Sequence, residues 1–292
     1  MRTVFNLTLL GFFAAAVAYP ISLASADDKD QSNVAVAHVF KSADIIGLPV
    51  RNKQGEDLGK INDLVVDMKS GEVRYAALSF GGFAGVGGKL FAVPFGSMTF
   101  MFGEPNKANS RHFVFDVAKD QLDKAPGFDS STWPNIADPK WGEAIDEHYH
   151  FDRAAHTTAA TPAHTGEGAK VRFETVFRAS QIKGMDVRND KNENLGDVDE
   201  LVIDIAKGHV KYVALSYGSW FTGDHKLFAV PLSSLTLNHA NDKTFFTARV
   251  SQESLKNAPG FTNWPNTADP NWAKSIDTYY ERTAARPGTI QK

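Results

Sequence analysis

Val50-Arg51-Asn52 recurs 137 positions later as Val187-Arg188-Asn189, and the same offset carries Leu58-Gly59 onto Leu195-Gly196 and Leu64-Val65-Val66-Asp67 onto Leu201-Val202-Ile203-Asp204. The register holds without a gap as far as Lys89-Leu90-Phe91-Ala92-Val93-Pro94, which is identical to Lys226-Leu227-Phe228-Ala229-Val230-Pro231. After a short difference in length a second block repeats: Ala125-Pro126-Gly127-Phe128 returns as Ala258-Pro259-Gly260-Phe261. Trp133-Pro134-Asn135, Trp141, Ile145 and Tyr149 likewise return as Trp264-Pro265-Asn266, Trp272, Ile276 and Tyr280. A whole module has been duplicated, so any fold proposed for one half must serve the other.

Within each copy the polarity has period two. Leu64, Val66 and Met68 alternate with Asp63, Val65 and Asp67, and Leu201, Ile203 and Ile205 keep the parity, which predicts a half-buried strand. Val73 to Phe80 is rich in β-branched and aromatic residues. The preceding Lys69-Ser70-Gly71-Glu72 supplies turn chemistry, with Gly71 and its counterpart Gly208 able to take positive φ without steric cost. Leu48 to Asn52, Leu90 to Phe95 and His112 to Val117 predict further strands. A helix follows: Asp138 caps it, Pro139 suits its first position, and Trp141, Ile145 and Tyr149 share a face that packs on the sheet. Asp269, Pro270, Trp272, Ile276 and Tyr280 repeat the arrangement. The expected fold is mainly β with helical tails: two tandem small antiparallel barrels, each followed by a short α-helix.

Residues 1–26 stand apart from this pattern. Arg2, the apolar run from Phe5 to Val17 and Ala24-Ser25-Ala26 read as a cleaved secretory signal peptide. The modules are then 36–151 and 171–283, separated by a linker at 152–170 that is rich in Ala, Thr, Gly and His and poor in large apolar side chains. No later segment approaches spanning length, so export to the periplasm without stable membrane insertion is expected. The chain has no cysteine, which excludes disulfides, thiolate metal sites and a cysteine nucleophile. Its formal net charge of −3 offers no electrostatic footprint for nucleic acid.

From Gly47 to Pro94 the residues run Gly-x-Pro-Val, then Gly-Glu-x-Leu-Gly-Lys-x-x-Asp-Leu-Val-Val-Asp, then Gly-x-Val-x-Tyr and Ala-Val-Pro. This resembles the PRC-barrel family, named for a subunit of the bacterial photosynthetic reaction centre and found also in a ribosome maturation factor. The second copy departs slightly, with Met185-Asp186 near the position of Pro49, and Asn192 and Asn194 where the first has Gly55 and Asp57. The resemblance covers about 50 residues of each copy and implies a non-catalytic module for assembly or partner binding.

Candidate sites are few. Asp67 and Asp204 end equivalent strands without a second acid, His or Lys at a spacing suited to acid–base work, and read as turn-capping groups. His148 and His150, with Asp146, Glu147 and Asp152 nearby, form an H-x-H pair able in principle to hold a divalent metal, but the second copy has Thr278-Tyr279-Tyr280 there. The helical register of the repeated tryptophans favours internal packing. The glycine-rich stretch 81–88 lacks the lysine and helix of a phosphate-binding loop. Phe83, with Trp220 and Phe221 in the other copy, is better placed for contact with a partner on a hairpin tip. Together these describe a periplasmic binding or scaffolding protein that is not an enzyme and needs no cofactor, holding a protein or envelope component. The alternatives are a small-ligand or metal-binding stress protein and a hydrolase with its site between the modules.

Overall fold

The strand pairings show that neither copy completes its own sheet. A computed structural model describes residues 38–79, 88–103, 110–156, 175–218 and 226–284, all within one compact unit. The first copy contributes β1 (Val39–Lys41), α1 (Ser42–Ile45), β2 (Pro49–Arg51), β3 (Asp57–Asp67), β4 (Val73–Ser79), β5 (Lys89–Pro94), β6 (Met98–Met101) and β7 (His112–Phe115). It continues with α2 (Lys119–Asp123), β8 (Gly127–Asp129), α3 (Pro139–His148) and α4 (Arg153–His156). The second copy contributes β9 (Val176–Arg178), α5 (Ala179–Ile182), β10 (Asp186–Asn189), β11 (Asn194–Asp204), β12 (His209–Tyr217), β13 (Lys226–Pro231) and β14 (Leu235–Ala240). It ends with β15 (Lys243–Ala248), α6 (Gln252–Lys256), β16 (Gly260–Phe261) and α7 (Pro270–Ala284).

One sheet runs β6-β7-β2-β3-β4-β5-β8 and carries β9 on β3; the other runs β14-β15-β10-β11-β12-β13-β16 and carries β1 on β11. The copies have therefore traded their first strands. In β3, β4 covers one edge, β2 covers the start of the other, and the rest of that second edge takes β9 from the second copy, with Val65 opposite Arg178 and Asp67 opposite Val176. The mirror pairing sets Val202 opposite Lys41 and Asp204 opposite Val39. Buried acids at matching bulges fasten the exchange. Asp63 accepts the Ser180 hydroxyl at 2.5 Å and the Ser180 N–H at 3.3 Å, while Glu200 accepts the Ser42 hydroxyl. Each carboxylate also accepts the N–H of the residue after it, so these buried charges are hydrogen-bonded as burial demands. The hairpin turns meet as well: Val73 N–H donates to Gly208 O and Val210 N–H to Gly71 O, both at 2.8 Å.

One expectation changes. The sheets are mixed and open, because β2 pairs β7 in parallel and β10 pairs β15 in parallel, and no pairing joins β6 to β8 or β14 to β16 among the described residues. They are not closed antiparallel barrels. Residues 39–41 of the first copy and 176–178 of the second each pair in the sheet of the opposite copy. The linker at 152–170 begins in structure: Arg153–His156 is helical, its arginine anchored by two carboxylates, and the remainder of the segment lies outside the described residues. The signal-peptide residues 1–26 lie outside them too.

Val65, on the face expected to be wet, is buried along with Leu64 and Val66. One face of β3 lies against the main core, which is continuous through both copies. The other lies under α3, where Val65, Tyr75, Ala92, Ile145 and Val176 form a second cluster, the valine arriving on the exchanged strand. Asp138 caps α3 by accepting the Lys140 N–H at 3.0 Å, and Asp269 accepts from Asn271 at 2.9 Å. Trp141 meets Tyr75 edge-on at 5.2 Å, and Trp272 meets Tyr212 at 5.4 Å, so the expected helical face is the one that docks.

Candidate functional site

Asp67 accepts the Lys69 N–H at 3.0 Å and Asp204 the Lys207 N–H at 3.2 Å, while Gly71 and Gly208 take φ of +81° and +63°. The glycines also lie where the copies touch: a Cβ on Gly71 would come within 2.8 Å of Leu232 Cδ2. His148 and His150 do not converge on a common point with acids. His148 Nε2 lies 3.4 Å from the Gln121 carbonyl, Asp146 is committed to Arg153, and no group of three His, Asp or Glu suited to a metal occurs among the described residues. Phe83, Trp220 and Phe221 lie outside the described residues. Trp133 and Trp264 pack on Phe128 and Phe261 at 4.8 and 4.9 Å.

The densest polar cluster joins Tyr75, Glu72, Asp146 and Arg153. Arg153 grips Asp146 through Nε at 2.9 Å and Nη2 at 2.7 Å, reaches Glu72 through Nη1 at 2.6 Å, and lies 4.7 Å over the Tyr75 ring. The Tyr75 hydroxyl donates to Gly142 O at 3.1 Å and Asp146 Oδ1 at 3.3 Å. Burial pushes this phenol up to about 12, against the opposing pull of Arg153, far above where a base near neutral pH would sit. The second copy reproduces the frame with another cation: Tyr212 donates to Asp277 at 2.7 Å and Lys211 Nζ reaches Asp277 at 3.1 Å. In both copies the cluster ties the helix to the sheet. Both oxygens of Asp146 are occupied, so it has little left to offer a substrate.

The surface feature that distinguishes the copies is an aromatic edge. β6 pairs only with β7 among the described residues, and where the first copy reads Phe100-Met101-Phe102 the second reads Leu237-Asn238-His239. Met101 and Phe102 are 44 % and 47 % exposed, the only large hydrophobic residues so exposed among the described ones. Phe102 lies tilted against His38 at 5.0 Å and edge-on to Phe100 at 5.0 Å, and Phe40 joins Phe100 at 5.1 Å. Arg111 lies 5.9 Å over Phe40. The patch thus combines an exchanged strand, a sheet edge and a neighbouring cation. Sequence reasoning passed over it, although the loss of Met101 and Phe102 between otherwise matching copies was a readable signal.

Fold and surface together define a duplicated small-β module closed by reciprocal strand exchange and bearing one apolar edge. The PRC-barrel domain family matches residues 37–122 and 174–249, more than half of the chain, and the chain belongs to that family. No curated protein matches it. No helix among the described residues is long and apolar enough to cross a membrane.

Proposed function

We propose that this is a non-catalytic binding or scaffolding protein of the periplasm, exported by cleavage of residues 1–26, which holds a protein or envelope component on the aromatic edge of its first copy. The exposure of Met101 and Phe102 beside Phe40 and Phe100 carries the reading. An apolar edge strand left open to solvent is a standing invitation to a partner strand or apolar surface, and membership of a family whose modules serve assembly supports it. One compact unit with the patch on one copy only would present it to a partner in one orientation. Phe83, Trp220 and Phe221 are a second candidate contact.

Affinity capture from periplasmic extract with cross-linking tests this. The mature chain is expected to enrich a specific partner with cross-links at residues 98–102, and Met101→Ser/Phe102→Ser is expected to lose it while melting unchanged. Enrichment that survives this variant but vanishes when 81–88 and 219–225 are shortened would move the site to the tips. N-terminal sequencing of the periplasmic protein is expected to begin at Asp27.

A further inference from the structure

The two exchanged strands meet different side chains: beside β1 the flanking polar groups have partners, and beside β9 their counterparts are absent. Beside β1, the second copy's Thr267 donates its hydroxyl to Val39 O at 2.7 Å, and Lys41, which lies 5.3 Å over the Trp264 ring, pairs with Asp44 at 3.4 Å. Beside β9, the first copy has Ile136 in place of Thr267, and the second copy's own Gln181 stands in place of Asp44. The hydroxyl and the carboxylate are both missing. A groove of about 450 Å³ lies there, lined by Trp133, Asn135, Ile136, Val176, Arg178 and Gln181 among others.

The atoms facing this groove are defined by the register. Met68 N–H donates to Thr175 O and Phe177 stands opposite Val66, so alternation along an antiparallel pair turns the N–H and C=O of Val176 away from β3. The equivalent carbonyl of Val39 is the one Thr267 satisfies. Arg178 Cζ lies 4.7 Å over the Trp133 ring, and its guanidinium has no ion pair among the described residues. Its backbone N–H is taken by Gln181 Oε1 at 3.0 Å.

We infer that this groove binds an extended acidic peptide segment of a partner protein, which restores both missing groups: a backbone N–H donated to Val176 O and a carboxylate on Arg178. An extended strand along a free sheet edge gives the first, and a guanidinium held over an indole, without an ion pair among the described residues, is placed for the second. The site is separate from the aromatic edge and does not depend on it.

The test titrates the mature chain, by calorimetry, with acetyl-Val-Glu-Val-Glu-Val-amide. Saturable one-to-one binding is expected, weakened about tenfold or more when glutamine replaces glutamate or when Arg178 is changed to Gln, the scale of one lost charge-assisted bond. Ile136→Thr/Gln181→Asp, which installs the hydroxyl and carboxylate found beside β1, is expected to lose binding with an unchanged melting point; should it fail to fold, Arg178→Gln decides alone. Met101→Ser/Phe102→Ser is expected to bind the peptide normally, so failure here and failure of the aromatic edge are read separately. Absence of saturable binding, equal binding by Arg178→Gln, or uptake of glucuronic acid with none of the peptide would overturn the inference.

Discussion

At the scale of single residues, two glycines with the same backbone angle separate turn geometry from contact between the copies. Gly55 and Gly71 both take φ of +81°, but nothing lies within 4 Å of a Cβ on Gly55, whereas one on Gly71 would strike Leu232. Alanine at either position should cost roughly 1–2 kcal/mol for the left-handed backbone. Gly71→Ala should add about 1–3 kcal/mol of overpacking. Urea unfolding of the two variants should show that gap, and equal losses would mean that the Gly71 turn does not press on Leu232 in solution. Tyr75 makes a second test. Burial raises its phenol from 10.0 to about 12, and burial likewise raises Tyr149, Tyr212 and Tyr280. A group whose folded value is raised favours its protonated form in the fold. The associated stability is complete below about pH 10 and is lost as pH climbs through about 12. Tyr75→Phe should cost about 1 kcal/mol at neutral pH through its lost hydrogen bonds and should show a shallower alkaline decline in the same urea assay. A parallel decline would assign the alkaline loss to the other tyrosines.

At the scale of elements, β1 and β9 decide how the halves assemble. Each is three residues long and completes a sheet edge in the other copy, and each leads directly into a short helix whose serine bonds a buried acid across the exchange. A fragment spanning residues 27–156 has the donor strand but no second copy to receive it. Since β3 offers the same edge as β11, that fragment should form a two-fold dimer by placing β1 on β3 of its twin. Light scattering after size exclusion would register the dimer, and a stable folded monomer would show that the first strand can serve its own sheet. The strands themselves were legible in the sequence, because alternation and turn chemistry act over a few residues. That Val65 would be buried was not, since the pattern records only which side chains are apolar and cannot say that α3 and Val176 of β9 cover the second face.

The whole molecule has one main core drawn from both copies. Removing either copy would strip the other of a strand, a buried acid's partner and the hairpin-turn contacts, so the halves have little means of melting apart. Calorimetry should show a single transition with equal calorimetric and van't Hoff enthalpies. Two resolved transitions would mean that the exchange contributes little coupling. The same architecture bears on binding. The aromatic edge and the groove beside Trp133 arise where the copies differ in sequence, Met101 and Phe102 against Asn238 and His239, and Ile136 and Gln181 against Thr267 and Asp44. After duplication, a matched frame keeps the fold while unmatched surface positions are free to take up partners.

The duplication, the family, the hairpin with its turn glycines and the capped helix were all determined by the sequence alone. Each rests on interactions within a few residues or on direct repetition, and such signals survive without knowledge of the fold. Which edge receives each first strand was decided only in the tertiary structure. With two copies carrying the same edge, the local pairing energy is nearly degenerate between a strand's own sheet and its twin's, and the outcome turns on long-range contacts such as Ser42 with Glu200 and Ser180 with Asp63. The groove beside Trp133 was hidden for the same reason. Trp133 and Arg178 are far apart in the chain, and only the exchange lays one upon the other.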